Sequence, residues 1–292
     1  MTKIKNNAIK VFLLAVLLIF ILYPKIIIDS VYKSTLLFFN NVFVYLFPFL
    51  ILSKLFLFFN VLNIFKIKSN KFTVMLLSMI TGSPSNAVYI KDLYDKNMID
   101  KDELENLLIY TTNPSITFVT SFIGVLLLKN INYSYIVLFS IYMSNFIIYL
   151  FLNKNNQTIY QNNIVNKNSF FIELKNSITS SIEALLIILG NIVIFNIILD
   201  ILKILINNQI ILTFLSCILE LTSGITRLSE LNINLDLKLA FITFFCLFSS
   251  ISIHMQLKSI LNNFSYKRYL KYRLIVCLTG FIICYLTVKI II

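Results

Sequence analysis

Apolar runs of roughly 18 or more residues follow one another through most of the chain, and they are broken at only a few places, by clusters of Gly, Pro, Ser, Thr and Asn. Lipid offers the backbone no hydrogen bonds. Each run must therefore be helical, and each orphan N–H or C=O inside it costs several kcal/mol unless something else satisfies it. The chain is 58% hydrophobic and 13% charged, with a mean hydropathy of +0.86, which places it among polytopic membrane proteins. Abundant Asn, Lys, Ile, Phe and Tyr with no Trp match the drift of an AT-rich genome, so the position of polar residues carries more information than their number.

The apolar windows predict spans near residues 8–28, 35–60, 105–128, 133–152, 178–206, 237–261 and 272–291. Two further stretches, 72–90 and 210–228, are interrupted near their middles, at Gly82-Ser83-Pro84-Ser85 and at Glu220-Leu221-Thr222-Ser223-Gly224. Both read as re-entrant hairpins. The expected fold is thus an all-α integral membrane protein of about seven transmembrane helices plus two hairpins. The first apolar run is long and has no small-x-small cleavage site after it, so it reads as an uncleaved span.

The net charge of +12 could signal nucleic acid, but the basic residues sit in short loops between apolar runs, where topology signals belong. Nucleic acid is therefore not an expected partner. With the N-terminus in the cytoplasm and both hairpins returning to their own side, seven basic residues face outward: Lys25, Lys33, Lys129, Lys203, Arg227, Lys238 and Lys289. The other 18, including Lys267, Arg268, Lys271 and Arg273, fall on the cytoplasmic side. Making both hairpins full crossings would move Lys91, Lys96, Lys101, Lys154, Lys167 and Lys175 outside, which disfavours it. The expected location is the cell membrane, multi-pass. Cys217, Cys246, Cys277 and Cys284 lie in apolar stretches without a C-x-x-C pair, so they read as packing residues, with neither a metal nor another cofactor implied.

The order of features repeats. An N-terminal span (1–30) precedes a first unit (31–152), a polar cytoplasmic linker (153–176) and a second unit (177–292). Each unit offers a long span, a hairpin, a broken span and an unbroken span. Gly82 and Gly224 are 142 positions apart, and Pro114 and Ser252 are 138 apart. Three crossings and a hairpin per unit make the second an inverted copy.

Asp100 and Glu103 have capping-box spacing, so a helix should start near Lys101. Pro114 removes a donor and pushes Asn113 away from helical angles, which should open that helix over Thr111–Ser115. In the second unit Ser249, Ser250, Ser252, His254 and Gln256 stand at the equivalent depth. If hairpin tips and breaks meet near mid-bilayer, their unpaired backbone groups can serve a polar solute. The candidate site comprises Gly82, Ser83, Ser85, Asn86, Thr112, Asn113, Ser115, Glu220, Thr222, Ser223, Ser250, Ser252, His254 and Gln256. Glu220 is the most deeply placed acid and His254 the only histidine. Ser, Thr and Asn at membrane depth also serve as plain interhelical contacts, and a lone buried histidine is often a satisfied polar contact, so packing is the competing explanation for each residue taken singly.

The stretch "TGSPSNAVYIKDLYDKNMIDKDELENLLIYTTNPSITFVTSFIG" resembles the G-x-P-x-G-A-K block, the acidic helix start and the N/S-x-P-x-F stretch of the nucleoside-recognition (Gate) domain. "ILELTSGI" and "SSISIHMQ" are similar to stretches of the YlbJ-like sporulation membrane proteins of that superfamily, and "FSSISI" is similar to one in concentrative nucleoside transporters. The match covers roughly Phe47 to Arg273. The YlbJ-like pattern would carry Gly at Asn86, Lys at Val88 and Gly-Gly at Ser249-Ser250. Where the nucleoside transporters have a hairpin G-Q-T-E, this chain has Gly82-Ser83-Pro84-Ser85, which leaves Glu220 as the candidate carboxylate. The resemblance implies the inverted-repeat transporter fold and a role linked to the sporulation envelope.

The leading expectation is a membrane transporter or gate for a small polar solute, with a coupling ion and a homo-oligomer left open. The alternative is a non-transporting assembly or partner protein that keeps the fold. No H-E-x-x-H, G-x-S-x-G or paired-aspartate signature supports an intramembrane enzyme.

Overall fold

The computed structural model describes residues 10, 14, 17, 18, 20–59, 71–95, 97–152, 169–261 and 264–291. Among these, every regular element is helical. Four helices are long and apolar enough to cross a membrane: Ile131–Leu152, Phe170–Leu205, Leu235–Ile260 and Tyr266–Ile291. Within the expected first span (8–28) the described residues 10, 14, 17, 18 and 20–28 are helical apart from Tyr23, while 153–168 of the expected linker (153–176) lie outside the described residues and 170–176 are already the start of a helix.

The chain opens with α1 (Pro24–Leu37), which passes without a gap through a π-helical stretch (Phe38–Phe43) into α2 (Val44–Phe58). Its start corrects the expected boundary of 35. Tyr23 has non-helical angles and Pro24 takes the first helical position, where its missing N–H costs nothing. A helical hairpin follows, α3 (Lys71–Thr81) and α4 (Ser85–Asp95), and then α5 (Lys101–Thr111), a second π-helical stretch (Phe118–Leu127) and α6 (Ile131–Leu152). The second half repeats the order: α7 (Phe170–Leu205), the hairpin α8 (Gln209–Leu219) and α9 (Leu221–Glu230), the broken pair α10 (Leu235–Phe248) and α11 (Ser250–Ile260), and α12 (Tyr266–Ile291).

Apolar packing divides these elements between two cores. In the smaller, Phe38 and Val42 bury against Leu185 and Ile192, joining α1–α2 to α7. These two helical stretches run antiparallel along their whole length, because Ser34 meets Asn196 at 3.1 Å, Lys54 meets Ser180 at 2.7 Å, and Phe59 stacks on Phe170. With its 36 residues, α7 is about 54 Å long. The larger core gathers α3–α6 and α8–α12, with Leu46 packed against both.

Polar clusters mark the two ends of the larger body. At one end the predicted capping box forms: Glu103 N–H donates to Asp100 Oδ1 at 2.7 Å and Asp100 N–H to Glu103 Oε2 at 3.1 Å. Lys71 pairs with Glu103 at 2.8 Å. Arg268 bonds Asp102, Glu105 and Asn106, and Ser265 N–H donates to Glu105. The starts of α3, α5 and α12 are thereby gathered together. At the other end Arg227 of α9 stands 3.8 Å from Asp200 of α7, an ion pair between the two bodies.

Glycine is indispensable where the arms of the second hairpin touch. A Cβ on Gly224 would lie 2.3 Å from Cys217 Cα, whereas one on Gly190 of α7 would meet nothing within 4 Å. We predict that Gly224→Ala lowers stability by roughly 1–3 kcal/mol through overpacking, while Gly190→Ala is neutral or stabilises by up to about 1 kcal/mol. Thermal unfolding in detergent, followed by circular dichroism, distinguishes the two. Equal midpoints would count against the hairpin packing.

Candidate functional site

Pro114 does what its chemistry requires. The last turn of α5 ends at Thr111, Thr112 leaves helical angles (φ −77, ψ 84), and Asn113 N–H turns back to Thr111 O at 2.9 Å instead of bonding Ile109 O. The carbonyls freed by this break are taken up from three directions. Arg273 Nη1 of α12 donates to Ile109 O at 2.9 Å. Asn86 Nδ2 of the first hairpin donates to Thr111 O at 2.7 Å and lies 3.0 Å from its hydroxyl. Ser249 Oγ of the second break stands 3.2 Å from Thr112 O and 3.1 Å from Cys246 O of its own helix, so its one proton is shared between the two carbonyls. Ser83 N–H, at the tip of the first hairpin, donates to Asn113 O at 2.8 Å.

The tip is shaped for that approach. Gly82 adopts φ +65, in the left-handed region, and a Cβ there would lie 2.7 Å from Ser115 N, so both its angles and its nearness to the break exclude a side chain. Asn86 lies inside α4 with its side chain aimed at Thr111, and Ser83 Oγ donates to its Oδ1 at 3.0 Å. Asn145 of α6 braces the break from behind: its Nδ2 donates to Asn113 Oδ1 at 2.9 Å, and its Oδ1 faces Arg273 Nη1 at 3.4 Å. Asn86, Thr111, Thr112, Asn113, Asn145, Ser249 and Arg273 are all buried.

The second break is narrower than expected. It is confined to Ser249 and Ser250, both left-handed (φ 67 and 54), after which α11 runs unbroken. A non-glycine residue pays a penalty in that region, and its persistence at two successive positions requires support from the surroundings. Ser249 Oγ on Thr112 O is part of that support. Ser250 and Ser252 share a hydrogen bond at 3.0 Å. Because α11 is regular, residues two apart point about 200° apart around its axis, so His254 points away from Ser252 and Gln256, which lie one turn apart on the same face. His254 instead enters an aromatic cluster, with ring centroids 5.2 Å from Phe248, 5.9 Å from Tyr266 and 5.6 Å from Tyr269. Gln256 is only half-buried.

The second hairpin tip differs from the first. Glu220 caps its own helix, Oε1 accepting from Thr222 N–H at 3.0 Å and Oε2 from Ser223 N–H at 2.7 Å. Its carboxylate lies on the positive end of α9, which stabilises a buried negative charge. Among the described residues no hydrogen bond joins Glu220, Thr222 or Ser223 to the other interruptions. Three of the four interruptions therefore meet directly, where four were expected. Ser115 is likewise inward-looking, its hydroxyl accepting from Phe118 N–H at 3.2 Å at the start of the resumed helix, and Ser85 opens α4 half-buried.

Arg273 is the main residue missed. Grouped by sequence with the cytoplasmic Lys267–Lys271 charges, it is instead wholly buried and holds the end of α5. The signal was available: Tyr269, Arg273, Cys277, Gly280, Cys284 and Val288 recur at helical spacing along one face of α12, and all are buried. All four cysteines are free and buried, as expected of packing residues.

Comparison of the chain with family models, with curated proteins and with solved structures finds no match.

We predict that Asn86→Ala, which removes the donor that ties the first hairpin to Thr111, costs about 1–3 kcal/mol, whereas Ser83→Ala, which leaves the Ser83 N–H bond to Asn113 intact, costs about 1 kcal/mol or less. Denaturant or thermal unfolding measures both. A Ser83→Ala cost equal to that of Asn86→Ala would contradict the backbone assignment.

Proposed function

We propose that the protein is an integral membrane transporter or gate for a small polar solute. It would be built from two inverted units, with about seven crossings, two re-entrant hairpins and two broken helices. The observation that carries this reading is the junction at Thr111–Asn113, where backbone carbonyls inside an apolar body draw donors, both side-chain and backbone, from other segments rather than from a continuing helix. Such bonds can be exchanged for bonds to a solute or to water when the segments separate, which a continuous helix does not permit. In this conformation the junction is closed. The separate core of α1–α2 with α7 favours alternating access in which the hairpin-bearing body shifts against that outer pair.

Two further features support the topology and the family resemblance. The starts of α3, α5 and α12, all on the side rich in Lys and Arg, cluster at one end, while Asp200 and Arg227 meet elsewhere. Ser249 and Ser250 are left-handed where the YlbJ-like pattern carries Gly-Gly, so the backbone there is the kind that glycine suits. The sporulation link rests on that resemblance.

The second reading, a non-transporting partner protein, also has support. Every junction carbonyl named above already has a protein donor, and Glu220 is occupied by its own helix.

Uptake into proteoliposomes decides between them. The transporter reading predicts solute-dependent flux that Asn113→Ala or Glu220→Gln reduces at least tenfold. No flux for any tested solute or ion gradient, together with an unchanged cellular phenotype for Glu220→Gln and co-purification of a stable partner, would favour the second reading.

A further inference from the structure

Arg273 is the one fully buried cation among the described residues with no carboxylate paired to it. Its electrostatic neighbours include Tyr269, Cys277 and His254, none of them an acid. The end of α5 offsets part of the charge, since its Ile109 carbonyl lies at the negative pole of that helix. The dipole is equivalent to about half an elementary charge, so a net positive charge remains in an apolar interior.

The donors are unevenly used. Nη1 serves both Ile109 O and Asn145 Oδ1, whereas Nε and Nη2 are buried without a hydrogen-bond partner. Those two nitrogens form the side-on edge of the guanidinium, whose parallel N–H groups match two oxygens of one planar oxyanion. One turn before Arg273, Tyr269 contacts the ring of His254, whose imidazole is approached by the backbone carbonyl of Phe248. The guanidinium thus keeps a pair of unused donors on a charge that lacks a counter-ion.

We propose that the Nε/Nη2 edge of Arg273 is a binding site for a small inorganic oxyanion of the bicarbonate or nitrate class, held beside the broken end of α5. The guanidinium is completely enclosed, so the ligand must be small and enters when the packing around α12 loosens. Bound there, the anion neutralises the charge that α5 only half offsets and stiffens the contact between α5, α6 and α12. This site does not depend on transport: it is read by binding, in a protein that carries no flux as well as in one that does.

The test uses the full-length protein in detergent with sodium nitrate or bicarbonate titrated against gluconate at constant ionic strength, with the thermal midpoint as readout. The proposal expects a saturable rise with nitrate and bicarbonate, absent in Arg273→Met. Arg273→Lys, which keeps the charge but loses the paired edge, should weaken the apparent affinity at least tenfold, and it serves as the decisive variant if Arg273→Met does not fold. A wild-type midpoint indifferent to the anion, or a rise of equal affinity in Arg273→Lys, would overturn the site.

Discussion

A helix that stops inside an apolar body exposes backbone carbonyls that neither lipid nor its own turn can satisfy, and the structure is organised around that demand. Pro114 creates it by withholding an N–H and by turning Asn113 out of the helix. The response comes from segments distant in sequence: a hairpin tip, the second broken helix and the final helix each contribute a donor. The interruption thereby becomes one of the contacts that join the two halves. Removal of one donor leaves a buried acceptor in surroundings where water is scarce, which is why side chains such as Asn86 and Arg273 weigh more here than on a surface.

The same accounting separates the two hairpins. At Gly82 the tip is directed outward, because a left-handed residue without a side chain lets Ser83 N–H reach Asn113. At Glu220 the carboxylate folds back on the N–H groups that follow it, and Gly224 clamps the arms backbone to backbone. One hairpin is thus a donor to the junction and the other a self-contained element. A chain built from two similar units can divide roles in this way when a single acid stands in only one of them.

Much of this was legible because Gly and Pro act locally. The capping box at Asp100, the opening after Thr111, the hairpin turns and the order of elements follow from residues whose backbone preferences are strong and short-ranged. Three features were not legible. The π-helical winding of Phe38–Phe43 and Phe118–Leu127 has no marker in those residues. The left-handed pair at Ser249-Ser250 confines the second break to two residues and restores a regular helix beyond, which puts His254 in an aromatic cluster beside Arg273 rather than at the breaks themselves. Arg273 was obscured by neighbouring basic residues, although its place on the buried face of α12 could have been found from spacing. These outcomes depend on tertiary contacts, and the donors that satisfy a break lie from 25 to 164 positions away.

The central claim is that the two broken helices touch at their breaks within the membrane. Paired cysteines at Thr112 and Ser249, in a background lacking the four native cysteines, test it most directly when oxidised in native membranes. Rapid, near-complete disulfide formation is the predicted result. Failure to cross-link, while a control pair at Ser34 and Asn196 on the outer helices does form, would contradict the account.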